Sequence, residues 1–195
     1  MITTEEFVKE QGAGRGRIGM FGLIAAESAI FTIFIVAYLF YLGKSQSGPR
    51  PKDVLEPPFL FTICLLSSSL TIYAAVKHLR RGRAAGFAAY WLATIALGVA
   101  FIFGTAAEWH RLIYVYGLTI RTNLFGTTYY SLVGLHGFHV IAGLIFLSVV
   151  MVFTFLGAIK PHHAERLDVL SMYWHFVDVV WVVVFAVVYV VGRSA

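Results

Sequence analysis

The residues able to do chemistry are few: ten carboxylates, seven histidines and one cysteine in 195 residues. Three of the carboxylates, Glu27, Glu108 and Asp178, stand within or at the edge of long apolar runs, as do His136, His139 and His175. Ionisable side chains in hydrocarbon are rare and costly, so each counts as a functional hypothesis. Glu27 and Asp178 lie about eight or nine residues into their runs, roughly 13 Å deep at 1.5 Å per residue. His139 falls at a comparable depth in a third run. Three such groups on neighbouring helices could share protons, as a relay or ion site, or could form a polar cluster that fixes helix packing; packing is the favoured reading.

The pairs His136/His139 and His175/Asp178 are each three residues apart, so each pair shares a helix face. Two imidazoles on facing helices could ligate a haem or a metal ion. Gly134, Gly137 and Gly143 around the first pair point instead to close helix approach, with histidines hydrogen-bonding across the contact. Trp174 and Trp181, seven apart, read as packing residues. Ser67, Ser68 and Ser69 can bond helix carbonyls or bridge helices. Cys64 stands alone, and neither a disulfide nor a thiolate metal site is indicated. Trp109, Tyr114 and Tyr116 suit an aromatic belt at a membrane surface. The run Gly12–Gly16 lacks the Lys-Ser/Thr and strand context of a phosphate loop.

The elements that must position these groups follow from charge. Only 13% of the residues are charged and 59% are hydrophobic, with a mean hydropathy of +0.79. Soluble domains carry about 25% charge, so a water-soluble globule, a disordered chain and a disulfide scaffold are all excluded. Twenty-two of the charges fall between apolar runs long enough to cross a bilayer core of about 30 Å. The expected spans are 18–42, 59–76, 87–108, 126–156 and 170–191, an all-α integral membrane protein built as one five-helix bundle over residues 1–195. Short loops suggest sequential antiparallel packing, and Gly43–Glu56 reads as an irregular linker. Residues 1–17 mix acids and bases and do not resemble a cleavable signal. Nine Lys/Arg fall on the side of the N-terminus and six on the other. The positive-inside rule then predicts a cytoplasmic N-terminus and an external C-terminus. A net charge of +5 reads as topology and headgroup attraction, with no nucleic-acid role.

Tyr173-Trp174-His175-Phe176-Val177-Asp178-Val179-Val180-Trp181 resembles the terminal-helix signature of subunit III of haem–copper respiratory oxidases. Gly134-Leu135-His136-Gly137-Phe138-His139-Val140, followed by Ala142-Gly143, is similar to the same family's GFHGLHV…G motif, with Leu135 and Phe138 exchanged. Thr122 to Tyr130 resembles the bacterial form of the preceding segment. Glu108-Trp109 falls where the family has a Glu-aromatic pair. Ala26-Glu27-Ser28 resembles the segment carrying its carbodiimide-reactive membrane glutamate. The chain begins at what resembles the third of seven spans in mitochondrial-type members, so lipid contacts of the first two do not carry over.

The resemblance implies an accessory subunit of a proton-pumping terminal oxidase in the bacterial cytoplasmic membrane. Haem and copper would reside in partner subunits I and II, with a small subunit IV as a further partner and bound phospholipid in place of a cofactor. It also implies that Glu27, His139 and Asp178 form a structural cluster, braced by His136 and His175, and that the chain protects the catalytic subunit and aids proton uptake or oxygen access. Subunit III of a quinol oxidase, or of a nitric-oxide-reductase-associated relative, is the near alternative. A bis-histidine haem cytochrome and a proton-coupled transporter using Glu27 and Asp178 are the distant ones.

Overall fold

The computed structural model describes residues 4–45 and 47–194, with side chains from Arg15 onward. Long helices are α1 (Thr4–Tyr41), α3 (Phe59–Arg80), α4 (Ala84–Tyr114), α5 (Leu124–Phe155) and α6 (Ala164–Phe185), with a short α2 (Pro51–Val54) in the first loop. After α6 the chain continues without a break through a π-helical turn, Ala186–Val191, and a last turn, Gly192–Ser194. Five helical stretches are long and apolar enough to cross a membrane.

The helices outrun the apolar spans that define them. α4 runs on to Tyr114, two turns past Glu108, and α1 begins well before Ile18. At 1.5 Å per residue the 31 residues of α4 make about 46 Å, longer than the hydrocarbon core. Helical hydrogen bonding does not stop where lipid gives way to headgroups; local stop signals end it. Gly82 and Gly157, at φ 70° in both cases, turn the chain after α3 and α5. Pro57 and Pro58 precede α3. The Asn123 side chain caps α5 by accepting from the Gly126 N–H at 2.8 Å. The expected irregular linker contains α2, with Pro51 at its first position.

Packing departs from the sequential order expected. α3 and α4 form a close hairpin, but α1 lies against α5 and α6 rather than beside α3. α6 is the central element, in contact with α1, α3 and α5, while α5 also packs on α4. Two glycines let Trp174 of α6 sink between α4 and α5. A Cβ on Gly98 would stand 2.9 Å from the Trp174 ring, and one on Gly143 would stand 2.7 Å from it. Between lipid-surrounded helices, such van der Waals fit replaces the hydrophobic drive that acts in water. A Cβ on Gly134 would stand 3.4 Å from the Trp109 ring. Gly137 does not serve the close approach expected of it within this bundle, because among the described residues no other helix comes within 4 Å of where its Cβ would lie.

Ion pairs tie the helix ends. Asp168 at the start of α6 binds Arg17 of α1 at 2.9 Å and Arg80 of α3 at 3.0 Å. Glu56 and Arg111 pair at 2.7 Å at the opposite end. Arg17, Arg80 and Asp168 therefore mark one membrane face, and Glu27, Ser69 and Asp178 lie ten or eleven residues inward from them, about 15 Å.

Candidate functional site

At that depth the structure separates what the sequence grouped together. Glu27 Oε2 meets His139 Nε2 at 3.1 Å across the α1–α5 contact, and His139 Nδ1 lies 2.8 Å from the Leu135 carbonyl oxygen. A carbonyl only accepts, so Nδ1 carries the hydrogen there. In a neutral ring Nε2 is then an acceptor, and its contact with Glu27 requires a further proton, held by the carboxyl or by the ring. The pair is a proton-holding contact as well as a brace. Phe31 covers His139, with centroids 5.0 Å apart, and Tyr173 of α6 donates to the His139 carbonyl at 3.2 Å.

Asp178 does not join this pair. It turns toward α3, where Ser69 Oγ hydrogen-bonds its Oδ2 and also lies 2.9 Å from Nδ1 of His175. The reason is angular: residues 174, 175, 178 and 181 line the α6 face toward α3, whereas Tyr173 looks toward α5. The same seam has two more rungs. Trp174 donates to Ser68 Oγ at 2.7 Å, and Trp181 donates to Thr62 Oγ1 at 3.2 Å. Both tryptophans are buried packing residues, as their spacing suggested.

His136, one turn from His139, is fully buried with neither nitrogen hydrogen-bonded. It sits in an aromatic box, stacked on Trp181 at 5.0 Å and 30°, with the Phe101 edge at 5.8 Å. It braces α5 against α4 and α6 by packing alone.

Glu108 belongs to a separate cluster near the other face. Its Oε2 accepts from the Tyr189 hydroxyl at 2.7 Å, which links α4 to the π-helical turn. Glu108 Oε1, the Tyr129 hydroxyl and Trp109 Nε1 are buried together beside it, close to one another but outside good hydrogen-bond geometry. Trp109 is thus not part of a surface belt: it packs inward on Tyr130 and Gly134, while Tyr114 and Tyr116 are exposed as expected. Sequence reasoning named Tyr129 and Tyr173 only as members of motifs, without a partner, and missed Tyr189 and Thr62. The signal available was that a tyrosine within an apolar run must find a partner for its hydroxyl. Among the described residues, no group of three or more His, Cys, Asp or Glu side chains could hold a metal ion.

These features define a class: a multi-pass helical membrane protein whose interior polar groups are turned toward other helices. A family model described as cytochrome c oxidase subunit III matches residues 13–193. The chain belongs to that family, and so is a subunit III of a haem–copper oxidase that works in a complex with other oxidase subunits. It is 33% identical to the cytochrome c oxidase subunit 3 of Alkalihalophilus pseudofirmus, over 90% of this chain and 86% of that one. It is 34% identical to the cytochrome bo(3) ubiquinol oxidase subunit 3 of Pseudomonas aeruginosa, over 92% and 86%. The cytochrome c oxidase subunit 3 of Synechocystis is 35% identical, over 90% and 77%.

Proposed function

We propose that this chain is a non-catalytic subunit that holds the catalytic subunit of a terminal oxidase in its working form, carries bound phospholipid, and supports proton uptake or oxygen access. Haem and copper belong to its partners, subunits I and II, with a small subunit IV beside them. The observation that carries this reading is the use of the buried polar groups. Glu27 with His139, Ser69 with Asp178, Ser68 with Trp174 and Thr62 with Trp181 each join two helices. Such contacts contribute about 1 kcal/mol each in a membrane interior, enough together to set helix order. The bis-histidine haem alternative fits the geometry poorly: both His139 nitrogens are engaged and His136 lies under an indole ring.

The surroundings of the bundle agree with a lipid and subunit-facing exterior. Ile18, Phe21, Ile33 and Phe40 along α1 are exposed large apolar residues. Lys77, Arg80, Arg81 and Arg83 cluster at the end shared with Arg17, which points that face toward the cytoplasm of a bacterial cell. The electron donor would be chosen by other subunits, since relatives named for cytochrome c and for ubiquinol are about equally similar.

The test is purification of the tagged chain in mild detergent. A co-purifying partner with haem and copper is expected, and Glu27→Ala should shorten catalytic lifetime while leaving the initial rate of oxygen reduction intact. A Soret band that stays with the isolated chain would overturn the reading.

A further inference from the structure

Within the α3–α6 seam, the rung made by Ser69 differs from its neighbours. Trp174 and Trp181 can only donate, so their bonds to Ser68 and Thr62 run one way. Ser69 Oγ lies between two groups that can each give or take a proton, Asp178 Oδ2 and His175 Nδ1 at 2.9 Å. A hydroxyl carries a single hydrogen, so it donates to only one of them. The other contact needs a hydrogen from Asp178 or from His175.

The surroundings restrict the choices. Asp178 is 3% exposed, and its second oxygen, Oδ1, is buried without a partner. Among the described residues no Lys or Arg pairs with it: Arg17 and Arg80 are held by Asp168 three turns away, and Arg111 by Glu56. From α1 and α5, the ionisable groups at its depth, Glu27 and His139, face each other. An ionised carboxyl with one hydroxyl bond and no cation is strongly penalised in such a place. His175, in contrast, is only half-buried.

We infer that Asp178, Ser69 and His175 form a proton-transfer site, in which the Ser69 hydroxyl passes a proton between the enclosed Asp178 carboxyl and the imidazole that reaches the chain surface. In the resting arrangement Asp178 Oδ2–H donates to Ser69 Oγ, and Ser69 Oγ–H donates to His175 Nδ1. Transfer breaks the Asp178 O–H bond and forms a new one on Ser69, while Ser69 gives its own hydrogen to His175. The product is a carboxylate and an imidazolium, with no atom gained or lost. His175 lies seven residues inward of Asp168, about 10 Å from that membrane face, so its imidazolium releases the Nε2 hydrogen to a proton-accepting group, or an enclosed water, that meets the chain at this depth, and uptake is the reverse. This assignment does not depend on the accessory role proposed above, since it concerns groups within this chain alone.

The test is infrared spectroscopy of the intact oxidase complex during perfusion with D2O. A carbonyl band of a protonated carboxyl that is lost in Asp178→Asn reports the site, and its deuterium shift reports exchange with bulk water. Ser69→Ala and His175→Phe should each slow that exchange by about tenfold or more, the rate equivalent of one lost hydrogen bond. Ser69→Thr keeps a hydroxyl in place and should leave the rate within about twofold of the parent. If Ser69→Ala does not assemble, His175→Phe and Ser69→Thr still decide the matter. Absence of a protonated-carboxyl band for Asp178 would overturn the assignment, and so would parent-like exchange in Ser69→Ala or His175→Phe.

Discussion

His136 and His139 are one turn apart on α5, and their surroundings are opposite. His139 lies in the seam between α1 and α5 with both nitrogens engaged, by Glu27 and by its own helix backbone. His136 lies in the box between α4, α5 and α6, with no hydrogen bond and aromatic rings on its faces and edge. The same residue type in one motif thus joins helices in two ways, by a proton-holding contact and by shape. The difference teaches that burial alone does not identify a functional histidine here; the polarity of the facing helix does.

The glycines give the strongest way to break the packing half of this comparison. Gly143→Leu would drive a side chain into the Trp174 ring, which a Cβ alone would approach to 2.7 Å. Overpacking at a rigid indole should cost about 3 kcal/mol, the upper end of the usual range, and sharply lower accumulation of the folded chain, read by yield and thermal unfolding in detergent. Gly137→Leu, by contrast, should change the stability of the isolated chain by less than about 0.5 kcal/mol, since nothing lies within 4 Å. If it nevertheless lowers the yield of the complex, that face of α5 meets another subunit.

The polar half is tested by a double-mutant cycle on Glu27→Ala and His139→Ala. A coupling of about 1 kcal/mol is expected, in line with interhelical hydrogen bonds in membranes. An Asp178→Ala partner in place of His139→Ala should show no coupling to Glu27, because Asp178 faces α3. Strict additivity of Glu27→Ala and His139→Ala would show that their contact does not join α1 to α5.

How far the sequence revealed this arrangement depends on the kind of coordinate. Position along the membrane normal was legible: a fixed rise per residue placed Glu27, His139 and Asp178 at one depth, and their helices deliver them there. Azimuth was not. Helices apolar on all sides carry no stripe to say which neighbour each face meets, so α1 was expected beside α3 and Asp178 beside Glu27. Helix ends were only partly legible, because α4 continues past Glu108 until local signals stop it. The partners of Glu108 escaped for a related reason. Tyr189 reaches it from a π-helical turn, and no residue spacing announces that change of helical pitch.

A smaller effect is expected at the membrane face. Asp168→Asn removes the carboxylate shared by Arg17 and Arg80, whose side chains are 51% and 53% exposed. Exposed ion pairs contribute about 0.2–1 kcal/mol, so the loss should be about 0.5 kcal/mol and should shrink as salt is raised. Unfolding at low and high ionic strength measures it. A loss that is insensitive to salt would mean that Asp168 acts through its backbone-proximal packing at the start of α6.

The smallest effect should come from the residue that looks most like a ligand. His136→Phe replaces two nitrogens that have no partners with carbon, in a planar ring one atom larger, in a box already formed by Trp181, Phe101 and Phe31. Removing a buried polar group that makes no hydrogen bond is neutral or stabilising when shape is kept. The change in stability should therefore lie within about 0.5 kcal/mol, against about 1 kcal/mol or more for His139→Phe, which leaves Glu27 without its partner. Unfolding of both variants in the same detergent makes the comparison direct. Equal losses would show that the His136 nitrogens are engaged by something outside this chain, and would move His136 from the packing half of the motif to the polar half.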